Sequence, residues 1–308
     1  MYAPCAFADV RSALLMMSAV VIGGQFDDAN ASAAPTADQD RRRTDNDLAR
    51  NVSFISPSFG QNGSKVCAAW GNGATDPSLA DFKTPHVVGL CDWDVYKPDA
   101  ADQLGFDFWP MLWGGDQARI SAFESAVTAG FGTIILGFNE PNEEGQSNLD
   151  PVEAAVLWQQ YIEPKRSLGY KTCSPAVSAR PNGQQWMQQF LAACSGCTID
   201  YQCLHWYGIG VTNLQVYLEE YHDIFGLPIL LTEFADEDFN GGTQPSLSDV
   251  ITFSQQALEY FDNTDWILAA CPFAVIRPPA GESLPNTAIQ NADGTPTQLG
   301  TIFINDEY

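Results

Sequence analysis

The stretch GTIILGFNEP (132–141) decides the fold class. Its apolar residues follow one another without alternation, and the run ends in Asn139, Glu140 and Pro141. A short strand that is apolar at every position is typical of a parallel sheet, because such a sheet is buried on both faces. Proline does not continue a central strand, so Glu140 is predicted to lie at the carboxyl end of a buried strand.

Runs of the same kind recur along the chain, separated by polar loops and by segments with helical period. Eight are present: VCAAW (66–70), HVVGLCDW (86–93), FDFWPMLW (106–113), GTIILGFN (132–139), YKTCSPAV (170–177), IDYQCLHWY (199–207), PILLTEFA (228–235) and WILAACPFA (266–274). Eight strand and helix alternations over residues 65–308 fit the roughly 250 residues of a (β/α)8 barrel. We therefore predict the α/β class, as a TIM barrel with a single catalytic domain. An open doubly wound sheet is the alternative, although no complete glycine-rich phosphate loop follows the first run.

Capping residues and apolar period indicate four helices between these runs. One begins behind Asp116, and the next is predicted from the cap at Asp150 to about Leu168, ending at Gly169. Two more are expected over residues 213–225 and 246–261.

Charge limits the classes of partner. The chain has 38 acidic and 14 basic side chains, a formal net charge of −24. A protein so acidic repels phosphate backbones and anionic lipid surfaces, which argues against nucleic acid and membrane partners. We expect a neutral or cationic substrate.

The first 64 residues are predicted to lie outside the folded domain. Residues 1–34 contain an apolar stretch after Arg11 and then small residues, which is typical of a signal peptide; an ordinary buried helix is the alternative. Residues 35–64 are polar and lack apolar period, so they are interpreted as a propeptide or disordered linker. Secretion to the cell exterior or wall is the corresponding expectation.

Cysteine usage agrees with a few disulfides at most. Removal of Cys5 with the signal peptide leaves seven cysteines, which cannot all pair. Cys194 and Cys197 form the most local candidate pair, and one to three disulfides are expected. Five others lie in apolar runs and are interpreted as buried thiols: Cys67, Cys91, Cys173, Cys203 and Cys271. A zinc site is disfavoured because a second closely spaced pair is missing.

The carboxyl ends of the runs carry the candidate chemistry, since barrel enzymes place their active sites there. Glu140 ends the fourth run and Glu233 lies near the end of the seventh. Two carboxylates that converge on a cleft suggest glycoside cleavage, with Glu140 as the acid/base and Glu233 as the nucleophile. If configuration is retained, the carboxyl groups should be roughly 5 to 5.5 Å apart. The alternative is structural: a helix N-terminal charge for Glu140 and a salt bridge for Glu233.

Neighbouring polar residues are given supporting roles. Asn139 is expected to bond a sugar 2-hydroxyl, Tyr207 to hydrogen-bond the nucleophile and His205 to support the site, and all three are candidate substrate-binding residues. Trp206 should face the opposite side of its strand and pack against helices.

Aromatic side chains near the run ends are candidate sugar contacts, with core packing as the alternative. They are Trp70, Trp93, Trp113 and Phe273. The acidic segment FADEDFNGG (234–242) is interpreted as a solvated loop, with calcium binding as a minor alternative.

A family resemblance rests on motifs in a fixed order: VVGLCDWD (87–94), FWPMLWG (108–114), LGFNEPN (136–142), CSPAVS (173–178), IDYQCLHWYG (199–208) and LPILLTEFA (227–235). From about residue 65 to 308 the chain resembles the fungal glycosyl hydrolase domain of glycoside hydrolase family 128, in the clan of (β/α)8 glycosidases with glutamates on strands four and seven. The resemblance implies a retaining endo-β-1,3-glucanase that acts on cell-wall glucan as a monomer, without a metal or organic cofactor. The eighth run departs from the family because it has no tryptophan at its tip, where Phe273 is expected to substitute.

Three classes of function stay open at this point. Besides the glucanase, these are a β-glucan-binding barrel without catalysis and a structural protein of the wall, while a glycosidase of the same clan could prefer another β-linkage. Glutamates at both expected strand ends favour an enzyme, and the absence of sequence repeats disfavours a structural protein.

Overall fold

Parallel strands form the centre of the molecule. The computed structural model describes residues 63–278 and 286–308. Seven regular strands occur in these residues: β1 (Val66–Ala69), β2 (Val87–Cys91), β3 (Ile134–Leu136), β4 (Lys171–Cys173), β5 (Gln202–Gly208), β6 (Ile229–Asp236) and β7 (Ile267–Pro272). Each coincides with one of the predicted apolar runs. The predicted signal peptide and almost all of the predicted propeptide lie outside the described residues.

The strand pairing confirms the α/β class with a parallel sheet. Strands β2, β1, β7, β6 and β5 pair in that order, and β3 pairs with β4. Isolated parallel bridges supply the remaining neighbours: Leu90 with Phe108, Met111 with Leu136, and Cys173 with Tyr201. The pairing therefore passes through all eight predicted runs and returns to the first, which is the order that a (β/α)8 barrel requires.

The third predicted run, residues 106–113, pairs only through single bridges. Pro110 lies inside it and has no amide hydrogen to donate to a neighbouring strand. Its carbonyl still accepts from the Leu136 amide at 2.9 Å. The run is thus part of the ring without forming a regular strand.

Helices connect the strands, as the period predicted. They are α1 (Ala101–Leu104), α2 (Gln117–Ala126), α3 (Pro151–Leu157), α4 (Pro181–Ala193), α5 (Val211–Phe225), α6 (Leu247–Asp262) and α7 (Gln298–Asn305). A 3-10 helix spans Pro77–Phe82, and α3 continues through a π turn and a 3-10 helix to Leu168. Asp116, Asp150 and Ser246 cap α2, α3 and α6 through their side chains.

The helix predictions were accurate to within about two residues where caps were present. Gly169 and Gly226 end their helices in the left-handed conformation, as predicted. Helix α5 begins at Val211, two residues earlier than expected. Helices α1, α4 and α7 were not predicted.

Two hydrophobic clusters explain why the strands are apolar on both faces. Alternate residues of β1 illustrate this: Cys67 and Ala69 point into the barrel interior, whereas Val66 and Ala68 pack in the outer layer that contacts the helices. Both faces of the strands are therefore buried.

The cysteine prediction needs one correction. Cys194 and Cys197 form the predicted local disulfide, but Cys67 and Cys271 are also disulfide-bonded, not free thiols. They lie on β1 and β7, the first and last strands, which barrel closure makes neighbours. Among the described residues the free cysteines are Cys91, Cys173 and Cys203, all buried as predicted.

Within the described residues, no helix combines the length and apolar character needed to cross a membrane.

Candidate active site

Polar side chains converge at the carboxyl ends of three parallel segments. Glu140 follows β3, His205 and Tyr207 lie in β5, and Glu233 lies in β6. The register of β5 against β6 places His205 opposite Glu233. These four residues, predicted from the ends of separate runs, therefore meet in one place.

The imidazole of His205 lies between the two glutamates. Its Nδ1 is 3.0 Å from Glu140 Oε1, and its Nε2 is 3.4 Å from Glu233 Oε1. One oxygen of each carboxyl group and a ring nitrogen all lie within 4.8 Å of one another. The two carboxyl groups are thus close neighbours, although 93 positions separate the residues in the chain.

Hydrogen-bond donors surround Glu233. Tyr207 donates its hydroxyl to Glu233 Oε2, and Trp93 donates its indole N–H to Glu233 Oε1 at 2.6 Å. Burial raises the pKa of Glu233, whereas His205 lowers it, Glu140 raises it, and the bonds from Tyr207 and Trp93 lower it. Donors of this kind favour the ionised carboxylate.

Glu140 has a different environment. It is 4% exposed, and its carboxyl group is hydrogen-bonded to His205 Nδ1. The pKa of Glu140 is raised to about 8, mainly by burial and also by the Glu143 charge, whereas Arg180 lowers it. A pKa of about 8 favours the protonated carboxyl group at neutral pH, the form that can donate a proton.

His205 is fully buried, and burial lowers its pKa although the Glu233 charge raises it. A neutral imidazole has one donor and one acceptor nitrogen. The tautomer with its proton on Nε2 accepts a hydrogen bond from protonated Glu140 at Nδ1, while Nε2 lies 3.4 Å from Glu233 without a hydrogen-bond partner among the described residues. His205 supports the site between the carboxyl groups, and its burial leaves no surface for the substrate contact predicted from the sequence.

Two site residues have left-handed backbone conformations, which are uncommon outside glycine. The φ angles are 62° for Trp93 and 39° for Glu140. Such conformations cost on the order of 1–3 kcal/mol each and persist only where the surroundings hold them. Both residues belong to the site: Trp93 donates to Glu233, and Glu140 is the other glutamate.

Aromatic rings frame the same region. Phe273 meets Trp93 edge-on at a centroid distance of 5.7 Å and Tyr207 at 5.5 Å. Phe239 meets Tyr207 at 5.0 Å. Trp206 stacks on Phe253 of α6, so it faces the helices, as predicted.

The interpretation of residues 234–242 as a solvated loop was wrong for its first half. Asp236 and Glu237 are buried, and Asp236 accepts a hydrogen bond from the Gly210 amide. Phe239 packs on Tyr207. Because acidic and aromatic residues alternate in this segment, the sequence did not indicate that it extends β6 and lines one side of the site.

Two further predicted substrate contacts, Trp113 and Asn139, have different surroundings. Trp113 is half-buried, and the Arg119 guanidinium lies 4.0 Å from its ring centroid. Asn139 donates to Gln146 at 3.2 Å, while its buried Oδ1 has no hydrogen-bond partner within the described residues. That free acceptor lies beside Glu140 and is suited to a ligand hydroxyl.

Trp70 requires a correction. It is 1% exposed, donates to the Gly73 carbonyl and packs against Phe82 in the outer cluster. The β1 side chains alternate between the barrel interior and the helix layer, and Trp70 falls on the helix side. It cannot contact a sugar in this structure.

Glu140, His205 and Glu233 are spaced closely enough that they could also hold a metal ion. However, each ring nitrogen of His205 faces a different carboxyl group. In that arrangement the ring lies between the two carboxyl groups, and the three side chains are not directed at one point.

Separate comparisons with a family model, with a curated protein and with solved structures agree on the family of this chain. The family model described as glycosyl hydrolase catalytic core matches residues 56–303. Alkali-sensitive linkage protein 1 of Schizosaccharomyces pombe is 33% identical over 242 residues, which cover 77% of this chain and 44% of that protein. The chain thus spans less than half the length of this curated relative.

Solved structures extend the comparison. An endo-β-1,3-glucanase of glycoside hydrolase family 128, subgroup II, from Sorangium cellulosum is 29% identical with a TM-score of 0.68; 79% of this chain and 98% of that chain are covered. A subgroup VII oligosaccharide-binding protein from Cryptococcus neoformans is 25% identical with a TM-score of 0.67, covering 82% and 96%. The family therefore contains at least one glucanase and one binding protein.

Proposed function

The chain belongs to the glycosyl hydrolase catalytic core family and, within it, to glycoside hydrolase family 128, and on this premise we propose that it is a retaining endo-β-1,3-glucanase. Glu140 is the acid/base and Glu233 is the nucleophile.

The observation that carries the proposal is the close approach of two carboxyl groups in unlike environments. Oxygens of Glu140 and Glu233 lie within 4.8 Å of each other. Retaining glycosidases separate their carboxyl groups by about 5 to 5.5 Å, whereas inverting enzymes need roughly 6.5 to 9.5 Å to admit a water molecule. The short separation supports direct attack by a carboxylate.

In the first step, a Glu233 oxygen attacks the anomeric carbon while Glu140 gives its proton to the departing glycosidic oxygen. The bond to that oxygen breaks, and a covalent glycosyl ester on Glu233 forms. In the second step Glu140, now ionised, removes a proton from water. The water oxygen attacks the anomeric carbon, the ester breaks, and Glu233 and protonated Glu140 are restored.

The surrounding residues have supporting parts in this reaction. Tyr207 and Trp93 donate hydrogen bonds that orient the Glu233 carboxylate and favour its ionised form against burial, which raises its pKa. His205 lies between the two carboxyl groups, hydrogen-bonded to Glu140 through Nδ1 and close to Glu233 through Nε2. Asn139, through its free Oδ1, accepts from a sugar 2-hydroxyl beside the acid. Trp113 and Phe273 line the cleft as aromatic contacts for the glucan.

The acidic surface suits a neutral polymer. We propose that the substrate is β-1,3-glucan of a cell wall and that the protein acts as a monomer outside the cell, without a metal or organic cofactor. The net charge of −24 disfavours polyanionic polymers as substrates.

A second candidate is a glucan-binding protein without catalysis. The low exposure of both carboxyl groups supports this candidate: Glu140 is 4% exposed and Glu233 is 2% exposed. The similarity to the oligosaccharide-binding protein from Cryptococcus neoformans favours the same reading.

The test is hydrolysis of laminarin, of β-1,4-glucan and of mixed-linkage glucan, with the sizes of the products measured. The proposal expects oligosaccharides of mixed length from laminarin, and a loss of at least about a thousandfold in Glu233→Gln and Glu140→Gln. Binding of laminarin without turnover would support the second candidate. Release of glucose alone would contradict endo action, and full activity in either variant would contradict the role given to that glutamate.

A further inference from the structure

The main chain at Glu140 is in a conformation that its neighbours must hold. With a φ of 39°, Glu140 lies in the left-handed region. Its amide donates to the Ala176 carbonyl at 2.8 Å, and the preceding Asn139 amide donates to the Trp113 carbonyl at 2.9 Å. These bonds fix the chain as it enters Glu140. The chain that leaves Glu140 needs a separate anchor.

Asn142, two residues later, supplies that anchor. Its side-chain amide donates to Ser178 Oγ at 2.7 Å and accepts from the Ser178 amide at 3.0 Å. Asn182 donates to the Asn142 carbonyl at 3.0 Å and accepts from its side chain at 3.1 Å. Ser178 lies in the connection that follows β4, and Asn182 lies in the first turn of α4. Asn142 thus joins two adjacent loops at the mouth of the barrel through four hydrogen bonds.

The same contacts fix two charged groups near the acid. Ser178 Oγ also donates to Glu143, and Arg180 Nε lies 3.2 Å from Glu143 Oε2. Glu143 raises the pKa of Glu140 and Arg180 lowers it, although both act less than burial. Displacement of the Glu140 loop would therefore change both the direction of the acid and its surroundings.

We propose that Asn142 is a positioning residue for the acid catalyst: by fastening the Glu140 loop to the loop after β4, it keeps the Glu140 carboxyl directed at the glycosidic oxygen. The hydrogen bonds of the Asn142 side chain go to Ser178, Asn182 and Glu143, so it acts through the main chain. This inference rests on the proposed function, because it concerns the step in which Glu140 gives its proton to the leaving group.

Dependence on the leaving group separates a positioning role from a general structural one. Hydrolysis of laminarihexaose expels a sugar alkoxide, which must be protonated as it departs. A 2,4-dinitrophenyl β-laminaribioside expels a weakly basic phenolate that needs no proton. Because kcat/KM reports the steps up to bond cleavage, loss of acid catalysis lowers it for laminarihexaose and spares it for the aryl glycoside.

The experiment measures kcat/KM on both substrates for the full chain and its variants. We expect Asn142→Ala to lose about tenfold or more on laminarihexaose, since small misplacements of catalytic groups have effects of this order. Its loss on the aryl glycoside should be below about threefold. Asn72→Ala is the matched control, because Asn72 also links two loops, through Val275, Gln290 and Arg277. Any loss in this control should be the same for both substrates.

Equal losses of Asn142→Ala on the two substrates, or no loss on laminarihexaose, would overturn the inference. If Asn142→Ala does not fold, Asn182→Ala replaces it, since it removes two of the four bonds and should give a smaller loss with the same substrate dependence. The Glu140→Gln variant shows whether a negative result concerns only this inference or also the proposed function. A laminarihexaose-selective loss in Glu140→Gln without one in Asn142→Ala would remove only this inference, whereas full activity of Glu140→Gln would remove the proposed function as well.

Discussion

Trp93 donates its indole N–H to Glu233 Oε1 at 2.6 Å, and the two residues lie 140 positions apart in the chain. With Tyr207, which donates to the other carboxylate oxygen, Trp93 gives Glu233 a donor on each side. The sequence suggested only an aromatic surface for sugar at this position. In the structure, the indole N–H of Trp93 donates to the Glu233 carboxylate. The backbone of Trp93 is in the left-handed conformation that accompanies this ring position.

Replacement of Trp93 by phenylalanine tests that contact. Trp93→Phe keeps an aromatic ring and removes the donor, so the pKa of Glu233 should rise and the carboxylate should be less well oriented. Hydrogen bonds to charged groups contribute about 1.5–3 kcal/mol, so we expect kcat/KM on laminarin to fall roughly ten- to hundredfold. The acid limb of the pH–rate profile should move to higher pH.

Trp158→Phe is the matched control for this variant. Trp158 is also buried and also donates its indole N–H to a glutamate, Glu163, at 3.1 Å, but it lies in the α3 continuation among the helices. This control should lose stability without a change in the pH–rate profile. An unchanged acid limb in Trp93→Phe, or the same shift in both variants, would contradict the role given to Trp93.

The raised pKa of Glu140 predicts how activity depends on pH. The acid must be protonated, and its pKa is about 8, so kcat/KM on laminarihexaose should fall as pH rises through about 8. Stability should change in the same direction. A carboxyl group whose pKa is higher in the folded protein than its unfolded value of about 4.3 stabilises the fold most at low pH, and that contribution is lost as pH rises through 8.

Glu140→Gln is the corresponding comparison, measured on laminarihexaose at enzyme concentrations high enough to detect its residual cleavage. Its kcat/KM should lack the alkaline limb, and its melting temperature should depend less on pH between about 5 and 9. An alkaline limb that persists in Glu140→Gln would assign that ionisation to another group.

Much of the fold followed from the sequence because parallel strands leave a simple pattern. All eight apolar runs join the ring, and capped helices such as α2 and α6 begin where Asp116 and Ser246 indicated. Helix α4 begins at a proline after Arg180, which gives no side-chain cap, so the local signal was absent. The third run contains Pro110, and apolarity alone could not indicate that its pairing would be irregular.

The Cys67–Cys271 disulfide depends on barrel closure, which makes β1 and β7 neighbours. It closes a segment with a sequence separation of 204 residues, so its removal should cost about 5 kcal/mol by loop entropy. The Cys194–Cys197 disulfide, with a separation of 3, should contribute about 2 kcal/mol. Urea unfolding of the two paired Cys→Ala variants measures the difference. Equal destabilisation by the two pairs would contradict this account of closure.

The sequence predicted which strand-end residues lie together, but it did not predict the direction of every side chain. Glu140, Glu233, His205 and Tyr207 could be placed together because strand ends meet at one face of a barrel. Trp70 ends a strand as Trp93 does, yet it packs between strand and helix. A shift of one residue decides which face a strand side chain occupies. The contact of Phe239 with Tyr207 depends on a loop path that no local pattern specified.

The most direct test of the central claim is covalent trapping of the nucleophile. A 2-deoxy-2-fluoro-β-laminaribiosyl fluoride forms the glycosyl ester readily but hydrolyses it slowly, so the intermediate accumulates and the labelled peptide can be identified by mass spectrometry. We expect the added mass on the peptide that contains Glu233, slow recovery of activity after removal of the reagent, and no label in Glu233→Gln. A label on a different residue, or rapid turnover of laminarin by Glu233→Gln, would contradict the claim that Glu140 and Glu233 act together as acid/base and nucleophile.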